Sequence, residues 1–133
     1  MFTYKTIINF YDCDPAGILF YGRIYNLCHS AYEDMIRSFN LSADYWVNDD
    51  FVVPIIHSEA SYHKPLKHTD EVIIEIKVKQ LRASSFELEY ECKNNSGEKC
   101  VVVKTVHVFL DKIIWKKKEM DKEVFEGFNQ HLE

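Results

Sequence analysis

The sequence lacks the features that membrane spans and multidomain chains require. Its 133 residues include only four glycines and three prolines, and no low-complexity tract or linker divides them. We therefore expect a single domain over residues 1–133. No window approaches the roughly 18 consecutive apolar residues of a membrane span, and the N-terminus has no secretory signal pattern. These absences predict a cytoplasmic protein with no membrane partner.

Cysteine spacing and charge exclude further classes. The four cysteines (Cys13, Cys28, Cys92 and Cys100) show no C-x-x-C spacing, so we expect reduced thiols rather than a metal site or a disulfide framework. The 21 acidic residues outnumber the 16 basic ones and give a net charge of −5, which argues against a nucleic-acid partner. No motif indicates a bound cofactor.

Hydrophobic periodicity predicts an α+β fold. Apolar residues between 20 and 39 recur at helical spacing, and Asn40 is a plausible stop, so we expect an amphipathic helix of about five turns. Residues 41–50 form a connection with room for one helical turn, and residues 121–132 suit a short second helix. Strand patterns cover residues 1–9, 51–62, 72–78, 86–93 and 100–110, with a hairpin turn at 94–97. Pro54 places the second of these strands near a strand start or a sheet edge.

The most informative segment is the turn that precedes the long helix. Pro15 disfavours the helical conformation at Asp14, and Gly17 allows the backbone to approach a ligand closely. The turn thereby brings the Asp14 carboxylate next to the free N–H groups of a helix start. A carboxylate beside such donors suits attack on a carbonyl, although a turn or capping aspartate fits the same residues. Asp12 is most simply a support for the turn.

Residues 12–21, Asp-Cys-Asp-Pro-Ala-Gly-Ile-Leu-Phe-Tyr, with a strand before them and a long helix after, resemble the hotdog-fold acyl-CoA thioesterases of the 4-hydroxybenzoyl-CoA thioesterase type. Residues 27–33 (Leu-Cys-His-Ser-Ala-Tyr-Glu) and 53–58 (Val-Pro-Ile-Ile-His-Ser) resemble the branch that hydrolyses 1,4-dihydroxy-2-naphthoyl-CoA. The resemblance implies a hotdog fold, in which a curved, mostly antiparallel sheet of about five strands wraps one long helix. It also implies an acyl-CoA substrate, no cofactor, and a homodimer or homotetramer.

The resemblance also assigns roles to individual residues. It makes Asp14 the catalytic carboxylate, as nucleophile or general base, and it places the polarising backbone N–H at Tyr21. Gly22 stands where one subgroup has a histidine. Arg82 corresponds to an arginine that contacts the phosphates of CoA. The lysine run at 116–118 is either a solvated tail or a second phosphate contact.

We expect six residues to bind substrate: Gly17, Phe20, Tyr25, His57, Tyr62 and Arg82. Glu33 and Glu59 are alternative carboxylates, because some hotdog thioesterases use a helix glutamate. Two other functions stay open from the sequence. One is hydrolysis of aliphatic acyl-CoA or acyl-carrier-protein thioesters, and the other is a non-catalytic domain that binds acyl groups.

Overall fold

The computed structural model describes residues 1–133 and consists mainly of one antiparallel sheet. The helices and strands are β1 (Phe2–Ile7), α1 (Ile24–Ser38), β2 (Phe51–Val52), β3 (Ile55–Tyr62), β4 (Glu71–Leu81), β5 (Ser85–Lys93), β6 (Lys99–Val108), β7 (Leu110–Asp111) and α2 (Lys122–Asn129). The sheet has five strands in the order β1-β4-β5-β6-β3, and β2 pairs with β7 in a separate small sheet. The predicted α+β architecture of one long helix and about five antiparallel strands is confirmed. No helix is long and apolar enough to cross a membrane.

The two faces of the sheet differ in polarity. Alternation along β4, β5 and β6 buries every second side chain on the face against α1, as with Ile76 and Leu88. The apolar stripe of α1, including Ala31 and Met35, completes one continuous core of 25 buried residues. The other face carries charged side chains, as in the neighbouring pair Glu89 and Lys104. We call these the inner and the outer face.

The long helix begins later than its periodicity predicts. The N–H of Phe20 donates to the carbonyl of Asp12 at 2.9 Å, and this bond holds Phe20 extended, with φ −63° and ψ 130°. A 3₁₀ turn over Tyr21–Arg23 follows, and α1 begins at Ile24. Its 15 residues make about four turns instead of five. Asn40 lies just beyond the end of α1 with φ 53°, which is typical of a helix stop.

Two other segments also depart from the predicted pattern. Residues 41–50 contain no helix, because the Asp44 carboxylate accepts hydrogen bonds from the N–H groups of Trp46 (2.8 Å) and Val47 (3.0 Å) and closes a tight turn. The strand predicted over residues 51–62 is divided into β2 and β3, since Pro54 has no N–H to donate. β3 lies at the edge of the sheet, as Pro54 predicts.

The two ends of the sheet can be told apart by the segments that lie at each of them. The start of α1, the end of β3 and the start of β6 lie together at one end, which we call the helix-start end. At the other end, the N–H of Phe109 donates to the Ser84 carbonyl (2.8 Å) and that of Met120 donates to the Ala83 carbonyl (2.9 Å). We call this the hairpin end. The 11 residues of β4, at about 3.3 Å each, separate the two ends by roughly 35 Å.

Candidate active site

A tight turn holds the carboxylate of Asp14 in a half-buried position. Oδ1 of Asp14 accepts a hydrogen bond from the N–H of Ala16 at 2.9 Å. The Asp14 N–H donates to the Ile18 carbonyl, and its carbonyl accepts from the Gly17 N–H, both at 2.9 Å. Gly17 has φ +80°, a conformation that glycine adopts without steric cost. Three backbone contacts therefore fix Asp14 in place.

Asp12 supports this turn from inside the protein. It is buried, and its Oδ1 accepts hydrogen bonds from Nε (3.0 Å) and Nη2 (2.7 Å) of Arg23. Its Oδ2 accepts from the N–H of Asn9 at 3.1 Å. Both carboxylate oxygens are therefore occupied by protein donors. Asp12 ties the turn to the start of α1, in agreement with the supporting role expected for it.

The start of α1 presents two backbone donors. The N–H groups of Tyr21 and Gly22 open the 3₁₀ turn and have no acceptor in the protein. The carbonyl of Tyr21 accepts a 2.7 Å hydrogen bond from the phenol of Tyr62, the last residue of β3. Burial raises the pKa of the Tyr62 phenol, and nearby Tyr25, Cys28 and Tyr21 raise it further. Tyr62 therefore keeps its proton at neutral pH and can donate it to this bond.

One cavity of about 470 Å³ brings four of the predicted residues together. Asp14, Phe20, Tyr21 and Tyr62 line it, and its remaining walls are Ile18, Leu19, His63, Lys64, Pro65, Leu66 and Val101. Its volume lies within the usual range for small-molecule sites. Asp14 is the one carboxylate among the lining residues. An apolar, aromatic cavity with a single acid thus lies beside two free N–H donors.

Two basic residues of this cavity were not predicted. His63 and Lys64 contribute to its wall, and Lys64 forms an ion pair with Glu98. The sequence could have indicated them, because they directly precede Pro65-Leu66, where β3 leaves the sheet beside the cavity. Lys64 gives the cavity a cation that suits an anionic substrate.

Tyr25 and His57 lie outside this cavity. Tyr25 lies on α1 one helical turn after Tyr21 and lines a second cavity of about 310 Å³, together with Cys28, His29 and Ser58. The structure does not bring His57 into the cavity of Asp14 within one subunit, and its contact with substrate stays a prediction. Its ring Nε2 lies 3.1 Å from Oε2 of Glu59, and both side chains belong to the outer face, because alternation along β3 directs Ser58 and Tyr62 inward.

The alternative glutamates are also remote from Asp14. Oε2 of Glu33 lies 2.8 Å from Nδ1 of His29 on the polar side of α1, and Glu33 lines a separate cavity near the end of that helix. Glu59 is on the outer face with His57. Neither carboxylate reaches the cavity that Asp14 lines.

The predicted phosphate contacts lie at the hairpin end. Arg82 is exposed in the turn between β4 and β5, where its N–H donates to the Ser85 carbonyl at 2.8 Å. The lysine run at 116–118 follows β7, and Lys117 pairs with Leu110. Within one subunit the length of β4, roughly 35 Å, separates both groups from Asp14. Neither group lines the cavity of Asp14 within one subunit.

Comparison with known proteins agrees with the fold. Residues 8–128 match the thioesterase-like superfamily. A 1,4-dihydroxy-2-naphthoyl-CoA hydrolase from Nostoc punctiforme is 27% identical over 126 residues, which cover 92% of this chain and 83% of that protein. The enzyme of the same name from Gloeothece citriformis is 30% identical over 116 residues, covering 85% and 81%. The crystal structure of a 1,4-dihydroxy-2-naphthoyl-CoA thioesterase from Synechocystis superposes with a TM-score of 0.89 at 25% identity, covering 96% of this chain and 95% of that one.

Proposed function

The chain belongs to the thioesterase-like superfamily, and on that premise we propose that it hydrolyses acyl-CoA thioesters with an aromatic acyl group to the free acid and CoA. The observation that carries this proposal is the position of Asp14. Its carboxylate lines an apolar cavity next to the unpaired N–H groups that open α1. This arrangement supplies an attacking or proton-accepting group and an oxyanion site in the same place.

The chemistry needs only these groups and water. The thioester oxygen accepts hydrogen bonds from the N–H groups of Tyr21 and Gly22, so the negative charge of the tetrahedral intermediate is stabilised. One such donor contributes about 2.7–4 kcal/mol. Asp14 either attacks the carbonyl carbon, giving a mixed anhydride that water then hydrolyses, or it accepts a proton from an attacking water. In both routes the carbon–sulfur bond breaks, CoA leaves as the thiolate, and one water is consumed.

The cavity wall supports an aromatic acyl group. Phe20, Tyr21 and Tyr62 contribute three rings to it, with Phe20 and Tyr21 at a centroid distance of 4.9 Å. Rings arranged in this way pack against a flat aromatic group. Relatives named for 1,4-dihydroxy-2-naphthoyl-CoA favour a bicyclic naphthoyl group. Gly17 adds no side chain where the ligand approaches, and Tyr25 extends the aromatic surface along α1.

The CoA portion requires cations. Lys64 borders the cavity within the same subunit, and we assign it the nearest phosphate contact. Arg82 supplies a further contact from a neighbouring subunit, since its own Asp14 lies at the opposite end of the sheet.

We propose that such a neighbour is present in a homodimer or homotetramer. Seven of the eight residues of β3 are exposed, and one side of this edge strand pairs with nothing. An exposed edge of this length is a template for pairing with another chain. Antiparallel pairing of two β3 strands would place the partner's residues near Tyr62 and the cavity of Asp14.

A second candidate function is hydrolysis of aliphatic thioesters. Ile18, Leu19, Leu66 and Val101 line the same cavity, and these side chains accept an alkyl chain as readily as a ring. An aliphatic acyl-CoA or an acyl-carrier-protein thioester would use Asp14 in the same way. The acyl preference therefore distinguishes the two candidates, whereas loss of Asp14 affects both.

The decisive experiment measures thiol release from naphthoyl-, benzoyl- and hexanoyl-CoA by wild type and Asp14→Asn. We expect Asp14→Asn to lower kcat by roughly 10²–10⁴, because a positioned proton acceptor is lost. Asp44→Asn is a matched control, since Asp44 also caps N–H groups of a tight turn but lies outside the cavity. An Asp14→Asn enzyme that is folded and keeps more than a third of wild-type kcat would exclude the proposed role.

A further inference from the structure

The turn after β7 carries three consecutive exposed apolar side chains. Ile113, Ile114 and Trp115 are 86%, 63% and 61% exposed, and we call these three residues the Ile-Ile-Trp tip. They lie at the hairpin end, away from the cavity of Asp14. A contiguous apolar group on a soluble surface, framed by charged residues, marks an interaction site.

The Ile-Ile-Trp tip is held in a defined conformation. Oδ1 of Asp111 accepts hydrogen bonds from the N–H groups of Ile113 (2.9 Å) and Ile114 (3.0 Å), and the Asp111 carbonyl accepts from Trp115 at 2.9 Å. The Asp111 N–H closes the turn by donating to the Lys116 carbonyl at 2.7 Å. Trp115 adopts φ 58°, which is uncommon for a bulky residue. The turn therefore presents its apolar side chains on a fixed backbone.

Four lysines surround the tip. Lys112 precedes it, and Lys116, Lys117 and Lys118 follow it, with no acidic residue between positions 112 and 118. This cluster stands out in a chain with a net charge of −5. Three acidic residues lie nearest to it: Asp111 is engaged by the turn itself, Glu119 directly follows the lysine run, and the Asp50 carbonyl accepts from the Lys112 N–H at 3.0 Å. The site thus combines three apolar side chains with a local positive charge.

We propose that the Ile-Ile-Trp tip and its flanking lysines bind the surface of an anionic lipid membrane. Tryptophan favours the boundary between headgroups and acyl chains, and the two isoleucines add apolar surface that can enter the same layer. The lysines then lie level with the lipid phosphates, where each contributes about fivefold to binding of an anionic surface.

A second copy of this chain fits the tip less well. Lysine is depleted from protein–protein interfaces, and two such clusters would repel each other. The tip is also a projecting turn rather than a groove or a flat face, which suits insertion into a deformable layer. Binding of this kind at the membrane surface requires no spanning segment and differs in this respect from the membrane contact that the sequence argues against.

The test uses co-flotation with vesicles of 1:1 phosphatidylglycerol and phosphatidylcholine, and with pure phosphatidylcholine. We expect at least tenfold stronger partitioning onto the anionic vesicles. The combined change Ile113→Ser and Trp115→Ser should lower partitioning at least tenfold, and Lys117→Gln should lower it about fivefold. Ile7→Ser and Lys5→Gln are matched controls, because both residues are exposed on β1, the edge strand opposite β3, and they should leave partitioning unchanged.

A fluorescence measurement locates the contact. The chain has two tryptophans, so Trp46→Phe leaves Trp115 as the single reporter, and its emission should shift to shorter wavelength only with anionic vesicles. Equal partitioning of wild type and the double variant would overturn the proposal. So would a Trp115 already shielded from acrylamide without vesicles, together with a lower oligomer mass of the double variant, because the tip would then join two copies. Thiol release by the double variant should equal that of wild type, so this test is independent of the role of Asp14.

Discussion

The phenol of Tyr62 donates a 2.7 Å hydrogen bond to the backbone carbonyl of Tyr21 and thereby joins the end of β3 to the start of α1. That carbonyl belongs to the same planar peptide as the N–H of Gly22. Fixing the carbonyl therefore fixes the direction of the Gly22 N–H, which is one of the two free donors beside Asp14. Tyr62 acts in this way as a positioning residue for the proposed oxyanion site.

Tyr62→Phe should lower kcat about three- to tenfold with little change in KM, which corresponds to the loss of one hydrogen bond. Tyr21→Phe is the matched control, because its phenol makes no hydrogen bond in the structure and only its backbone is assigned a role. Its effect should be smaller than that of Tyr62→Phe. Steady-state kinetics of both variants decide the point, and a larger loss for Tyr21→Phe would show that the Tyr21 phenol itself takes part.

The sequence predicted the Asp14 turn and the two faces of the sheet, because local rules determine them. Pro15 and Gly17 specify the turn, and strict alternation specifies the faces of β4 and β5. The helix start was misplaced by four residues, since periodicity does not reveal that Phe20 donates to the Asp12 carbonyl. That bond forms between segments separated by the turn, and only the folded chain shows it.

The sequence could not show how far residues distant along the chain lie from Asp14, nor on which face of the sheet they lie. The side on which His57 lies depends on the register of β3 against β6, which shifts between Ile55 and His57. Arg82 carries a suitable charge, but its distance from Asp14 follows from the length and direction of β4. Lys64 was not predicted, because it comes close to Asp14 only through the path of the chain where β3 leaves the sheet.

Ile56→Lys should weaken the proposed oligomer. Ile56 is 64% exposed on the unpaired edge of the sheet, and a lysine there opposes pairing with another strand. Light scattering should give a wild-type mass of two or four times 15.8 kDa and a smaller mass for this variant. Thr3→Lys, on the opposite edge strand β1, is the control and should keep the wild-type mass. A wild-type species of 15.8 kDa with full activity at micromolar concentration would contradict the oligomer.

His107 should make the stability depend on pH. Burial, with a smaller contribution from His29, lowers the pKa of His107 to about 3, whereas the unfolded chain titrates near 6.5. Between these two pKa values the unfolded state binds more protons at His107 than the folded state does. The contribution of the neutral His107 to the free energy of unfolding is therefore fully present above about pH 6.5 and decreases as the pH is lowered. The slope is about 1.4 kcal/mol per pH unit well inside this window.

Replacing the imidazole tests this assignment. His107→Phe keeps a ring stacked on Phe86, where the centroids are 4.5 Å apart, but removes the titrating group. Urea unfolding between pH 7.5 and 5 should show a clearly smaller pH dependence for this variant, where few carboxylates titrate. His68→Gln, an exposed histidine, should keep the wild-type slope. An unchanged slope in His107→Phe would refute the assignment.

The acyl preference should be aromatic, because Phe20, Tyr21 and Tyr62 line the cavity that Asp14 also lines. Each aromatic contact adds about 0.5–1.5 kcal/mol beyond area burial, so two contacts give roughly ten- to hundredfold higher kcat/KM for a naphthoyl than for a hexanoyl ester. Phe20→Leu should reduce this ratio severalfold, whereas Phe10→Leu, an exposed aromatic outside the cavity, should not. Equal or inverted kcat/KM values at one salt concentration would favour the aliphatic candidate, with Asp14 in the same role.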